Sequence, residues 1–182
     1  PRSAGRRDGR AGHGPHAGDV ERFDAIMSEV CEQPADAVLL LGDYMNMMLF
    51  GARRVPPNAI AKLFARLPRH APTFAILGNH DVEYGKAEVS NALKDAGITV
   101  LDNSSARLPA AMSTICIVGL ADHSSDEPDL KRALAGIGEG EPTILLAHDP
   151  AAFGDLPPGR WLMLSGHTHG GQIRLPWIGP VV

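Results

Sequence analysis

Four short polar clusters, each directly behind an apolar run, hold side chains that can bind metal or move a proton. Gly42-Asp43 follows Ala37–Leu41, and Gly78-Asn79-His80-Asp81 follows Thr73–Leu77. His148-Asp149 follows Thr143–Ala147, and Ser165-Gly166-His167-Thr168-His169-Gly170-Gly171-Gln172 follows Trp161–Leu164. Neutral imidazole and carboxylate suit Zn, Fe, Mn or Ni in a mixed nitrogen and oxygen site. The carboxamide of Asn79 is an uncommon ligand, but its oxygen is a hard donor. His167 and His169 stand one residue apart in a glycine-flanked turn, where backbone and metal can approach closely. Five or six such groups exceed what one tetrahedral zinc takes. They suit two metals about 3.5–4 Å apart with one carboxylate between them, and Asp43 is the candidate bridge.

Taken singly, each cluster has a plainer reading. Gly-Asp behind a strand is commonly a turn, Gly-Asn-His-Asp can be a type I turn with Asx hydrogen bonds, and His148 can be a satisfied loop histidine. Four of them in chain order, each at a strand end, favour the joint metal reading.

The elements that must position these groups read as follows. A chain of 182 residues, 44% hydrophobic and 21% charged, is expected to form one globular domain that buries about 70% of its unfolded surface. The net charge of −4 gives no nucleic-acid footprint. Cys31 and Cys116 read as buried thiols rather than a disulfide framework. No apolar run nears the roughly 18 residues of a membrane span.

Residues 1–18 are rich in Arg and Gly without apolar periodicity and read as loop or disorder. Asp19 is predicted to cap a helix carrying Val20, Phe23, Ile26, Met27 and Val30. Ala37–Leu41 reads as a strand buried on both faces. Pro56-Pro57 opens a second helix with Ile60, Leu63, Phe64 and Leu67 on one face. Thr73–Leu77 is a strand, and a third helix carries Val89, Leu93 and Ala96 and ends at Gly97. Strands are expected around Ile98–Leu101, Arg107–Leu108 and Thr114–Val118, then a short helix over Pro128–Leu134. Thr143–Ala147 and Arg160–Leu164 complete the strands. This alternation predicts a layered α/β fold, with ligands bound beyond the carboxyl ends of the strands.

Gly42-Asp43, Gly78-Asn79-His80-Asp81, His148 and Gly166-His167-Thr168-His169 together resemble the signature of the calcineurin-like metallophosphoesterase superfamily. The extension Gly170-Gly171-Gln172-Ile173-Arg174-Leu175-Pro176 resembles a bacterial branch that contains membrane-associated phosphodiesterases. The resemblance implies a four-layer α/β/β/α sandwich, here incomplete at both ends. It covers residues 16–182 as a C-terminally truncated phosphoesterase domain and leaves 1–15 as an atypical, disordered or non-native segment. It implies two divalent metals (Mn, Fe, Zn or Ni), with Asp43 bridging both. Asn79, His148 and His167 would complete one metal, and His169 would belong to the other with His16. His80 would stand over the scissile phosphate as proton donor or charge stabiliser, and Asp81 would orient it. The implied reaction is hydrolysis of a phosphate ester, of phosphodiesterase or pyrophosphatase type, by a metal-activated hydroxide.

The pattern breaks in one ligand position. The family's first motif is Asp-x-His, whereas this chain has Gly14-Pro15-His16, and Gly14 offers no ligand atom. Asp8 or His13 would have to fold back to replace it. The metal served by Asn79, His148 and His167 is therefore expected to bind more tightly. The alternative function is a degenerate, weakly active or inactive relative that serves as a metal-binding or scaffold module.

The implied partner is a phosphate-ester substrate of lipid or nucleotide type, with peripheral membrane contact as a possibility for the branch. Location is expected to be cytoplasmic for this chain and membrane-associated for a full-length relative. Tyr44–Phe50 is rich in Met and either caps the core or lines an apolar rim. Arg53 and Arg54 read as a solvated pair, and Asp122-His123 as a supporting loop rather than a ligand pair.

Overall fold

The computed structural model describes residues 17–45, 56–108, 115–125, 128–158, 161–168, 174–175 and 179–180. Its first element, α1 (Ala17–Glu32), turns Phe23, Met27 and Val30 into the core, while Ile26 stays 45% exposed. The helix begins two residues before Asp19, which falls in the first turn rather than at the cap.

Two sheets follow. The first has the order β1 (Val38–Leu40), β2 (Thr73–Ala75), β3 (Thr99–Val100), all parallel. The second has the order β4 (Ser104–Arg107), β5 (Cys116–Gly119), β6 (Thr143–Leu146), β7 (Leu162–Leu164). In it β4 runs antiparallel to β5, and the other pairs are parallel. Beyond them, β8 (Arg174–Leu175) pairs antiparallel with β9 (Gly179–Pro180).

The side-chain alternation of the strands sorts the core into layers. Phe74, Ile76, Leu101, Ile117 and Leu146 meet between the two sheets, with Leu39 and Leu41 beside them. Their sequence neighbours face outward. Val38, Leu40, Ala75 and Leu77 pack under α1, α2 (Pro57–Phe64) and α4 (Asn79–Asp95). Val118, Leu145 and Ala147 pack under α5 (Leu130–Ala133) and a 3₁₀ turn over Pro150–Asp155. Helix, sheet, sheet, helix is thus the observed order of layers. Each fully buried Leu or Ile in them stabilises the fold by about 1.5–3 kcal/mol.

Several element boundaries differ from expectation for local reasons. Leu67 is fully buried but starts a separate short helix, α3 (Leu67–His70), because Pro68 cannot donate inside a continuing helix. The third helix begins at Asn79, so the Gly-Asn-His-Asp cluster is a helix start rather than a free turn. Both cysteines are free, and buried Cys116 donates its thiol to Glu141 Oε1 at 3.1 Å. Among the described residues, no helix is long and apolar enough to cross a membrane.

Candidate metal centre

The parallel strands β1, β2, β6 and β7 end on one edge of the sandwich, and their loops meet there. Gly42 and Gly78 let the first two loops touch. A Cβ on Gly42, which has φ +94°, would come within 2.5 Å of Gly78 N and 2.7 Å of His148 Nδ1. A Cβ on Gly78 would collide with Asp43 Oδ1 and sit 2.6 Å from His148 Cε1. Only glycine permits this approach of backbone to ligand side chains.

Asp43 occupies the left-handed region at φ +59°. Its Oδ1 accepts the His80 backbone N–H at 3.1 Å, one of the free donors of the first turn of α4. Its Oδ2 lies 3.2 Å from His148 Nε2. Burial pushes the Asp43 carboxyl up, but the hydrogen bond and charge of His148 and the His80 amide outweigh it and hold the group below its ordinary range. His148 is 3% exposed. Burial works against its protonation, yet Asp43 and the Leu41 carbonyl together raise it.

The ring of His148 is fixed at both nitrogens. Nδ1 donates to the Leu41 carbonyl at 2.7 Å, which turns Nε2 toward Asp43. His167, also left-handed at φ +63°, places its Nδ1 3.3 Å from the same Nε2. One ligand atom each from Asp43, His148 and His167 lies within 4.8 Å of the other two. Asn79 Oδ1, on the first residue of α4, is buried and has no hydrogen-bond partner. Two ring nitrogens and a carboxylate oxygen turned together, with an unpartnered carboxamide oxygen, are a donor set that fits a divalent cation. The bond from His148 Nδ1 to a backbone carbonyl is the usual support for a metal-binding imidazole.

Asp81 is held by the backbone of both loops. Its carboxylate is fully buried and accepts three backbone N–H groups: Gly78 at 2.9 Å, Asp43 at 2.8 Å and Met45 at 2.9 Å. Burial raises its pKa against those three bonds. Through these bonds Asp81 secures the two loops. Glu83 stands by His80, its Oε2 3.4 Å from Nδ1. The signal for Glu83 was present as a Glu three residues on, a neighbour on the same helix face.

Tyr44 has a polar role that its Met-rich surroundings conceal in the sequence. Its hydroxyl accepts the Gly42 N–H at 3.1 Å and donates to the Ile76 carbonyl at 2.7 Å. Asp122 is 8% exposed and caps its own turn through the Ser124 amide at 2.9 Å, while its charge adds to the rise at His148. Gly14, His16, His169, residues 46–50, Arg53 and Arg54 lie outside the described residues, as do Asp8 and His13.

The calcineurin-like phosphoesterase family model matches residues 13–171. Phosphodiesterase YaeI of Escherichia coli is 36% identical over 163 residues, 86% of this chain and 56% of that protein. The metallophosphoesterase YkuE of Bacillus subtilis is 37% identical over 168 residues, 90% of this chain and 57% of that protein. A bovine transmembrane protein with a metallophosphoesterase domain is 31% identical over 179 residues, 88% of this chain and 38% of that protein. The chain belongs to the calcineurin-like phosphoesterase family, a class of metal-dependent hydrolases acting on phosphate esters. It spans little more than half the length of the two bacterial relatives.

Proposed function

We propose that the chain hydrolyses a phosphate ester, of phosphodiesterase or pyrophosphatase type, at a site for two divalent cations. The supporting observation is the approach of Asp43, His148 and His167 ligand atoms to within 4.8 Å of one another at one sheet edge. Asp43, Asn79, His148 and His167 would hold one cation, and Asp43 with His16 and His169 the other. Such cations lower the pKa of bound water and polarise phosphoryl oxygens.

The remaining roles belong to the chain's own groups. His148 turns Nε2 toward Asp43 as the atom that would coordinate, because its Nδ1–H donates to the Leu41 carbonyl. His80 is half-buried on the first turn of α4, one residue after Asn79, with Nδ1 toward Glu83. Its Nε2 is then the atom that would donate to the leaving oxygen. Asp81 keeps the loop that carries Asp43 against the start of α4. A lipid or nucleotide ester is the proposed substrate class, with Mn, Fe, Zn or Ni as the metals.

Hydrolysis of bis(p-nitrophenyl) phosphate with added Mn²⁺ tests the reading. Turnover that requires Mn²⁺ and falls in His80→Ala supports it. Turnover that survives His80→Ala removes His80 from the chemistry. Mn²⁺ binding without turnover under any metal favours the scaffold alternative that Gly14 raises.

A further inference from the structure

The carboxylate of Asp43 is aimed by an unusual stretch of backbone. Gly42 at φ +94° and Asp43 at φ +59° are both left-handed and belong to no helix or strand. For a non-glycine residue that conformation costs roughly 1–3 kcal/mol and persists only where its surroundings enforce it. Asp81 takes the amides of Asp43 and Met45. The Gly42 amide goes elsewhere, to the Tyr44 hydroxyl at 3.1 Å, and that hydroxyl in turn donates a hydrogen bond to the Ile76 carbonyl at 2.7 Å.

One oxygen therefore ties the turn that carries Asp43 to the extension of β2 that leads into Gly78 and Asn79. The ring that holds this oxygen is itself fixed. It packs edge-on to Phe64 with centroids 5.6 Å apart, beside the core of the first sheet.

We propose that Tyr44 is a positioning residue of the metal centre, its hydroxyl fixing the turn that aims the Asp43 carboxylate. The inference rests on the reading of Asp43 as a metal ligand. Removal of the hydroxyl leaves the ring packing in place but frees the Gly42 N–H and the Ile76 carbonyl. Loss of an outer hydrogen bond of this kind commonly weakens metal binding about 10- to 100-fold.

The test is Mn²⁺ titration by calorimetry on the full chain, comparing wild type, Tyr44→Phe, Ile98→Val and Asp43→Asn. Tyr44→Phe is expected to raise the Mn²⁺ Kd by about tenfold or more, and to speed exchange of the Gly42 amide in metal-free protein. Ile98→Val trims the same core at a buried residue away from the Tyr44 ring, so it is expected to lower Tm with Kd unchanged. An unchanged Kd in Tyr44→Phe overturns the inference, as does an equal loss of affinity in Ile98→Val. Wild type that binds no Mn²⁺, or Asp43→Asn that binds it as wild type does, overturns the metal reading itself and the inference with it.

Discussion

His148 Nδ1 stands 2.7 Å from the carbonyl oxygen of Leu41, so a histidine at the end of β6 is hydrogen-bonded to the backbone at the end of β1. The bond crosses from one sheet to the other. Its loss leaves a carbonyl without a partner in a crowded loop, which costs about 1–3 kcal/mol. His148→Ala is expected to lower stability by that amount in urea melts and to abolish tight Mn²⁺ binding. A variant with wild-type stability would show that the bond is not a tie between the sheets.

Gly78→Ala should be far more damaging than its one methyl group implies. The added carbon meets Asp43 Oδ1 and comes within 2.6 Å of His148 Cε1, so backbone or ligand must move. Overpacking of this kind costs about 1–3 kcal/mol. The expected result is a folded protein of lower Tm whose Mn²⁺ affinity is lost. Calorimetric affinity equal to wild type would contradict the close approach.

His80→Ala removes the proposed proton donor but no metal ligand. Loss of a positioned acid typically lowers turnover about 10²–10⁴-fold. Mn²⁺ binding should be unchanged, and the rate should depend more steeply on the leaving group's pKa. Steady-state rates over a series of substituted aryl phosphodiesters would measure both effects.

A pH effect is expected at the opposite edge of the second sheet. Arg107 grips Glu141 with Nε at 2.9 Å and Nη2 at 3.0 Å, and the Gly138 amide and Cys116 thiol also donate to it. These bonds, Arg107 first, lower the Glu141 pKa from 4.5 to about 2. The folded state therefore binds this proton less readily than the unfolded chain. The stability from Glu141 is fully present above pH 4.5 and is lost as pH falls toward about 2. In urea midpoints measured across that window, Glu141→Gln should flatten part of the acid slope. An identical slope in both proteins would exclude the contribution.

Much of the site could be read from residue order, because each ligand cluster directly follows an apolar run that the fold uses as a strand. Asp43, His148 and His167 meet as that order implied, since parallel strands deliver their ends to one edge. The backbone bonds of Asp81 are not legible in the sequence, because adjacency in sequence is not adjacency on a helix. Successive residues of α4 point about 100° apart, so His80 faces outward while Asp81 turns into the core. The residue three further on, Glu83, shares the face of His80. Tyr44 is illegible for another reason: it opens a Met-rich run, and a hydroxyl's backbone partners leave no mark in composition.

Asp43 and Asn79 come from the first sheet, and His148 and His167 from the second. A cation held by all four would bind only the state in which the sheets are docked. It would stabilise that state by RT ln(1 + [M]/Kd), about 2.7 kcal/mol at a hundredfold excess over Kd. The metal would then act as a clasp, and the cohesion of the two halves of the sandwich would follow the free concentration of metal around it.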